Sequence, residues 1–412
     1  MNLDYPPEAE AFRREVQAWL AEHLPDGWAD GRRPQGDDWR AFCAEWDARL
    51  HAEGWAVPTW PVEYGGRGLS VLQAAVFAEE LARAGAPIQP PLGGEILVGP
   101  TILHWGDDAQ KRRYLPPIAR GEEIWAQGFS EPGAGSDLAS LSTTARVEGD
   151  ELVVDGHKIW TSQAQEADFF FLLARTDPGA EPHRGISYLL VPARQPGIEV
   201  RGIAQPDGTA GFAEVLLAGA RCPLDAVLGG LHNGWQVAMS TLQFERGTSA
   251  TSSWYRYDRD LAAIARLASA RGVERDPTVR QRIAAAWVKV QVMRIQGLQV
   301  LTSALRPEVA GATRALEACT KLFWTEFQQE LTELAIDVMG PEAMVLDGDG
   351  TPAVGVGLGH RPVVHHYPVG EMQSAFLFAR AGTIFGGTSE VQRNLVGERV
   401  LGLPREPRPP RS

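Results

Sequence analysis

Apolar residues recur at three and four spacing in AFRREVQAWLAEHL (11–24) and again in VLQAAVFAEELARAG (71–85). That period predicts amphipathic helices, each turning one stripe toward a core. Between them, GWAVPTWPVEYGGRGLS (54–70) is interrupted by proline, while Gly54, Gly65, Gly66 and Gly68 permit tight turns, so a structured loop is expected. Residues from about Pro7 to Arg120 thus read as a helical lobe. From about Ala126 to Leu228 the pattern shortens to runs rich in Val, Ile, Phe and Thr: ELVVDGHKIWTS (151–162), DFFFLLART (168–176) and GISYLLVPA (185–193). No long helix separates these strands, which favours an antiparallel sheet or barrel over a doubly wound parallel sheet. The helical period returns from about Gly234 in four long stretches, 237–271, 277–305, 312–339 and 371–401, and predicts a bundle. Asp276 suits the N-cap of the second stretch and Pro277 its first helical position. The expected fold class is therefore α+β. An N-terminal helical domain spans 1–125, a middle antiparallel β domain 126–233, a C-terminal four-helix bundle 234–402 and a loose Pro- and Arg-rich tail 403–412.

Composition narrows the function classes. A chain of 412 residues can hold two or three lobes over a large core. No wholly apolar stretch is longer than that from Phe169 to Ala174, far short of the roughly 20 residues that a membrane span needs. The opening MNLDYPPEAEAF is acidic where a signal peptide is basic, so a cytoplasmic location is expected. Three cysteines, Cys43, Cys222 and Cys319, form no CxxC pair, which fits a reducing compartment and neither a disulfide framework nor a thiolate metal site. A net charge of −13 opposes nucleic acid as a partner but is compatible with one small basic pocket for a phosphorylated cofactor.

The most informative segment is GFSEPGAGSDLAS (128–140), at the entry to the β region. Gly133 and Gly135 let the backbone approach a flat or anionic ligand, while Ser130 and Ser136 offer hydroxyls, a pattern that suits a flavin nucleotide. Together with GHKIWTSQAQEADFFFLLART (156–176), it resembles the acyl-CoA dehydrogenase family. Residues 96–137 and TIFGGTSEVQRNLVGERVLGLP (383–404) resemble the linking and terminal segments of that family, so the resemblance runs from about residue 5 to 404. It implies FAD as cofactor, an acyl-CoA substrate, a role in lipid metabolism and an electron-transfer flavoprotein as acceptor. It also implies a homodimer or homotetramer, with a heteromer as the alternative.

Carried over position by position, the resemblance implies that Phe129 and Ser130 hydrogen-bond the flavin pyrimidine edge. Gly135 belongs to the same cradle, and Ser136 reaches the pyrophosphate and the substrate. Trp160 packs on the isoalloxazine, and Ser162, with Thr161 beside it, meets flavin N5 and O4. Thr388 and Glu390 fall at contacts to the adenosine half. Arg271, Asp337 and Gly340 fall at contacts to the FAD of a neighbouring subunit. The chain departs from the family there, reading ARGVERDP in place of RxxFG and AIDVMGPEAM in place of a glutamine and paired glycines.

Removing an α-proton from a thioester needs a carboxylate on one side of the substrate and a hydride acceptor on the other. Many family members carry that glutamate immediately before a terminal Gly-Thr, but here the position is Gly386. Another branch carries it on the first long helix of the C-terminal lobe, directly before an arginine. The run TLQFERGTS thereby implies Glu245 as base and Arg246 as a substrate contact; the alternative for Glu245 is a helix carboxylate paired with a nearby cation. Gly386 keeps the backbone N–H that meets the thioester oxygen in the family, an oxyanion-type contact, so it is both a catalytic and a substrate-binding candidate. Its missing side chain leaves volume for a bulky or branched acyl group. Two other readings stand beside the dehydrogenase: a catalytically silent flavin-binding subunit partnering an active homologue, and a flavin monooxygenase of the same fold. His360, His365 and His366 lack patterned carboxylates or cysteines and read as a surface or interface loop, with no metal expected.

Overall fold

The computed structural model describes the backbone of residues 5–28, 32, 34, 36–87, 93–247, 251–306, 310–345 and 371–405, and the side chains of these except 36, 37, 40, 245–247, 310–318 and 371. His360, His365, His366 and most of the tail lie outside the described residues.

The N-terminal lobe consists of α1 (Pro7–His23), α2 (Gly36–Ala52), α3 (Val71–Ala84), α4 (Gly99–Trp105) and α5 (Asp108–Ala119). Phe12, Val16 and Leu20 of α1 share a core with Val76, Phe77 and Leu81 of α3. Among these apolar groups the Arg13 guanidinium is buried between Glu79 at 3.2 Å and Glu80 at 2.5 Å. Helices α3 and α5 each start on a capping box, Ser70 with Gln73 and Asp107 with Gln110, which satisfies backbone N–H groups that a first turn leaves free. The 54–70 segment is irregular apart from a single 3-10 turn at Val62–Tyr64, as its glycines and prolines predict.

One eight-stranded sheet fills the middle: β1 (Trp125–Gly128), β2 (Thr144–Glu148), β3 (Glu151–Ser162), β4 (Phe169–Arg175), β5 (Ile186–Pro192), β6 (Ile198–Ile203), β7 (Phe212–Pro223) and β8 (Val227–Leu228). The order is β6-β7-β3-β2-β4-β5-β8, with β1 also on β4. The expected antiparallel pairing holds for β2–β3, β3–β7, β4–β5, β5–β8 and β6–β7. It needs correction at β1, which runs parallel to β4 from Trp125↔Phe169 to Gly128↔Leu172, and at the single parallel pair Thr144↔Arg175. The reason is topological: between β1 and β4 the chain makes the 129–143 loop and the β2–β3 hairpin, a crossover long enough to return in the same direction.

The C-terminal region holds α6 (Gly234–Gly247), α7 (Ser253–Ala270), α8 (Pro277–Leu305), α9 (Ala310–Met339), α10 (Glu371–Gly382) and α11 (Ser389–Leu395). Helix α8 begins as predicted, with the Asp276 carboxylate accepting from the N–H groups of Thr278 and Val279. Two of the four long stretches are divided. The first is divided into α6 and α7, with Thr251 and Ser252 in a turn just before α7. Helix α6 stays with the sheet while α7 joins the bundle; at Gly234 a Cβ would lie 2.3 Å from the Ser187 carbonyl carbon, so only glycine lets α6 start this close to β5. The last stretch breaks between α10 and α11, where Gly386 (φ 62) and Gly387 (φ 90) take left-handed conformations. Tyr257, Leu261 and Ile264 of α7, Val290 and Met293 of α8 and Phe327 and Leu331 of α9 form the bundle core, and α10 packs on α9. Among the described residues no helix is long and apolar enough to cross a membrane.

Candidate active site

Strand β3 carries one of the two glycine- and aromatic-rich stretches, and it bulges between Lys158 and Thr161. At the bulge Trp160 has φ 61 and, three residues on, Gln163 has φ 58. A bulky aromatic residue in the left-handed region costs roughly 1–3 kcal/mol and persists only where surrounding structure enforces it, typically at a functional site. Trp160 is 57% exposed, and its indole meets the edge of Phe212 at 6.3 Å between ring centroids. Trp160 is therefore not a core aromatic. Beside it Thr161 is fully buried with an Oγ1 that has no hydrogen-bond partner among the described residues, and Ser162 is exposed.

The 128–140 segment lies against this strand. The Ile159 N–H donates to the Ser130 carbonyl at 2.9 Å, and Phe129 is buried edge-on to Phe171 and Tyr188 at 6.0 and 5.8 Å. Glu131 and Ala134 exchange backbone hydrogen bonds of 3.1 and 3.0 Å, which closes a turn and turns Gly133, Gly135 and Ser136 outward. A Cβ added to Gly133 or Gly135 would meet nothing within 4 Å among the described residues, so their packing does not call for either glycine. Open space in front of a backbone stripped of side chains is what a close-lying ligand needs.

A buried ion pair clamps the two segments together. Lys158 Nζ donates to Glu131 at 2.8 Å and to the Phe129 carbonyl at 3.3 Å. Glu131 also accepts from the Ser142 N–H and hydroxyl, both at 2.7 Å, and from the Thr143 N–H at 2.9 Å. Burial lowers the Lys158 ammonium to about 8, with Glu131 opposing the shift. Burial raises the Glu131 carboxyl, but the Lys158 charge and the hydrogen bonds outweigh it and bring it to about 2. At neutral pH both groups are charged. One end of the clamp is next to Phe129 and Ser130, the other is two residues before Trp160. Sequence reasoning missed it; the only signal was a lysine and a glutamate set inside otherwise apolar or glycine-rich runs.

Glu245 and Arg246 lie in the last turn of α6, and their side chains are outside the described residues. At Gly386 the left-handed backbone disfavours any residue with a side chain, and its carbonyl accepts from Gln392 Nε2 at 3.0 Å. The next carbonyl, of Gly387, accepts from Lys321 Nζ at 2.6 Å. Thr388 caps α11 by accepting from the Val391 N–H at 3.2 Å. The exposed Glu390 carboxyl is held below its usual range, first by its own backbone N–H and then by Thr388. Thr388 and Glu390 line a groove of about 550 Å³ shared with Glu326, Glu330, Glu333 and Arg393. Arg271, Asp337 and Gly340 gather at one end of the bundle: Arg271 pairs with Glu342, Asp337 pairs with Arg282 at 2.5 Å, and Gly340 (φ 63) turns the chain out of α9. The charges expected to reach a neighbouring subunit are thus already paired within one chain. A further link that the sequence did not suggest is Ser374 of α10 donating to the buried Asp207 at 3.0 Å, which ties the β6–β7 turn to the bundle.

Comparison with known proteins adds three family matches, described as acyl-CoA dehydrogenase N-terminal domain over residues 6–122, middle domain over 126–217 and C-terminal domain over 232–401. The chain is 42% identical over 404 residues to "Acyl-CoA dehydrogenase IpdE1" of Mycobacterium tuberculosis, covering 97% of this chain and 99% of that protein. Among solved structures, "Tcur3481-Tcur3483 steroid ACAD" is similar at TM-score 0.80 with 31% identity, covering 98% of this chain and 100% of that one. The "ChsE4-ChsE5 complex from Mycobacterium tuberculosis" is similar at TM-score 0.77 with 30% identity and the same coverage.

Proposed function

The chain belongs to the acyl-CoA dehydrogenase family, and from that premise we propose that it desaturates an acyl-CoA thioester between its α and β carbons, with Glu245 taking the α-proton. FAD is the cofactor of that family, and the residues present fit it: an exposed indole, two outward glycines with open space before them, and a buried hydroxyl still lacking a partner among the described residues. When bound, FAD supplies the acceptor for the β-hydrogen. Phe129, Ser130 and Ser136 of the 128–140 segment and Trp160, Thr161 and Ser162 of β3 would hold it. Glu245 removes the proton, and Arg246 orients the thioester beside it. The Gly386 N–H donates to the thioester oxygen as enolate-like charge develops there. The observation that carries this reading is Trp160, strained into the left-handed region and turned out of the sheet.

A bulky, ring-bearing acyl group is the substrate class that fits best. Gly386 projects no side chain toward the acyl group, and a similar solved structure is described as a steroid ACAD. We further propose an assembly of several chains, with an electron-transfer flavoprotein as acceptor. Trp287, Val288 and Val292 form an exposed apolar stripe on α8, and Met344, Val345, Leu401 and Leu403 are exposed nearby in sequence to the bundle's ends. A heteromer with a homologous chain is favoured by Gly386 and by the two-chain complexes among the similar structures. That partner arrangement also supports a second reading, in which this chain holds flavin but the partner does the chemistry. Purified protein is expected to release FAD on denaturation and to scatter light as a dimer or larger. Released FMN, no flavin after reconstitution, or a monomer with full flavin occupancy would contradict the proposal.

A further inference from the structure

Three hydroxyls meet where the three lobes join. Thr101 comes from α4, Tyr188 from β5 and Thr241 from α6, and each is fully buried. Thr101 Oγ1 donates to the Leu97 carbonyl at 2.7 Å and lies 2.9 Å from Thr241 Oγ1, which in turn is 3.4 Å from the Tyr188 hydroxyl. The Thr241 hydroxyl donates toward the Tyr188 hydroxyl and faces the Val237 carbonyl at 3.2 Å as a second acceptor, while Thr101 donates to Leu97. Burial raises the pKa of the Tyr188 phenol, which keeps it neutral in this core. In an otherwise apolar core such hydroxyls cost stability unless they are paired, and their directionality fixes how elements register in a way that aliphatic packing does not.

What this node touches on either side matters. The Tyr188 ring is stacked on Phe171 at 6.1 Å and edge-on to Phe129 at 5.8 Å, and Phe129 belongs to the flavin-holding segment. Thr241 precedes Glu245 by four residues on α6, one helical turn along the same face. We infer that Tyr188, Thr241 and Thr101 are positioning residues that set α6, and with it the base, against the flavin-holding face of the sheet. The inference rests on the assignment of Glu245 as base.

The test uses the FAD-loaded protein with Tyr188→Phe, Thr241→Val, Thr241→Ser and Glu245→Gln. FAD affinity, thermal melting and deuterium exchange at the substrate α-carbon in heavy water are measured for each. Tyr188→Phe and Thr241→Val should hold FAD within about twofold of the wild type but slow α-exchange about tenfold to a hundredfold, since misplacing a reacting group by about an ångström can cost about a hundredfold. Thr241→Ser, which restores the hydroxyl, should recover most of the rate. In a Glu245→Gln background Tyr188→Phe should add little. Wild-type exchange in Tyr188→Phe or Thr241→Val, with Glu245→Gln slow, overturns the positioning role. An undiminished effect of Tyr188→Phe in the Glu245→Gln background overturns it as well, because the trio would then not act through the base. Wild-type exchange in Glu245→Gln itself is a different failure, that of the base assignment. If Tyr188→Phe does not fold, the Thr241 pair decides.

Discussion

Glu245→Gln is expected to keep its flavin and to lose about a hundredfold or more in the rate at which an acyl-CoA reduces it. Glutamine preserves the length of the side chain and much of its hydrogen bonding, so a helix carboxylate with only a structural role would tolerate the change. A general base cannot, because the amide does not take a proton at neutral pH. No second carboxylate stands ready at the other family position: Gly386 sits at φ 62, where a glutamate would be strained. Anaerobic stopped-flow mixing with the best thioester measures the effect. Reduction at the wild-type rate would make Glu245 a structural residue and move the chemistry to another residue or to a partner chain.

The second large effect is at the buried clamp. Lys158→Met is expected to destabilise the protein by about 3–5 kcal/mol, because removing one partner of a buried pair leaves the other charge uncompensated. Adding Glu131→Gln removes that stranded charge, so the double variant should regain much of the stability in thermal melts. It should not regain FAD affinity, because the tie between the 128–136 turn and β3 is still missing. Recovery of both together would reduce the clamp to ordinary core stabilisation. The acid limb gives an independent reading. Glu131 titrates at about 2 in the folded chain against an ordinary value of 4.5, so its contribution to stability is fully present above 4.5 and is lost as pH falls through about 2. Without Lys158 the carboxyl loses the charge that lowers it, and the variant should lose stability at higher pH than the wild type.

Much of this was legible because the signals were local. The start of α8 follows from Asp276 and Pro277 alone, and the glycines at 133 and 135 mark the exposed turn found there. What escaped depends on partners distant in sequence. The change of pattern from about Ala126 marks the start of the β region but does not say that its first strand, β1, will lie parallel to β4. A helical period running through 237–271 does not reveal that α6 docks on β5 while α7 leaves for the bundle. Lys158 reads as one more strand residue until Glu131, 27 positions earlier, is folded against it. Trp160 was singled out by its motif, but its left-handed backbone follows from the bulge against β7, which no single strand encodes. The Thr101, Tyr188 and Thr241 hydroxyls come from three lobes, and none carries a local signature.

On the reading proposed above, this chain is a working acyl-CoA dehydrogenase rather than a silent flavin carrier. Anaerobic mixing of the FAD-loaded protein with a panel of acyl-CoA thioesters, straight-chain, branched and steroid-bearing, tests it most directly. Bleaching of the flavin with matching formation of the α,β-unsaturated thioester is predicted, fastest with a bulky ring-bearing acyl group and abolished by Glu245→Gln. A flavin that stays oxidised with every thioester, in the isolated chain and in complex with any co-purifying homologue, would contradict it.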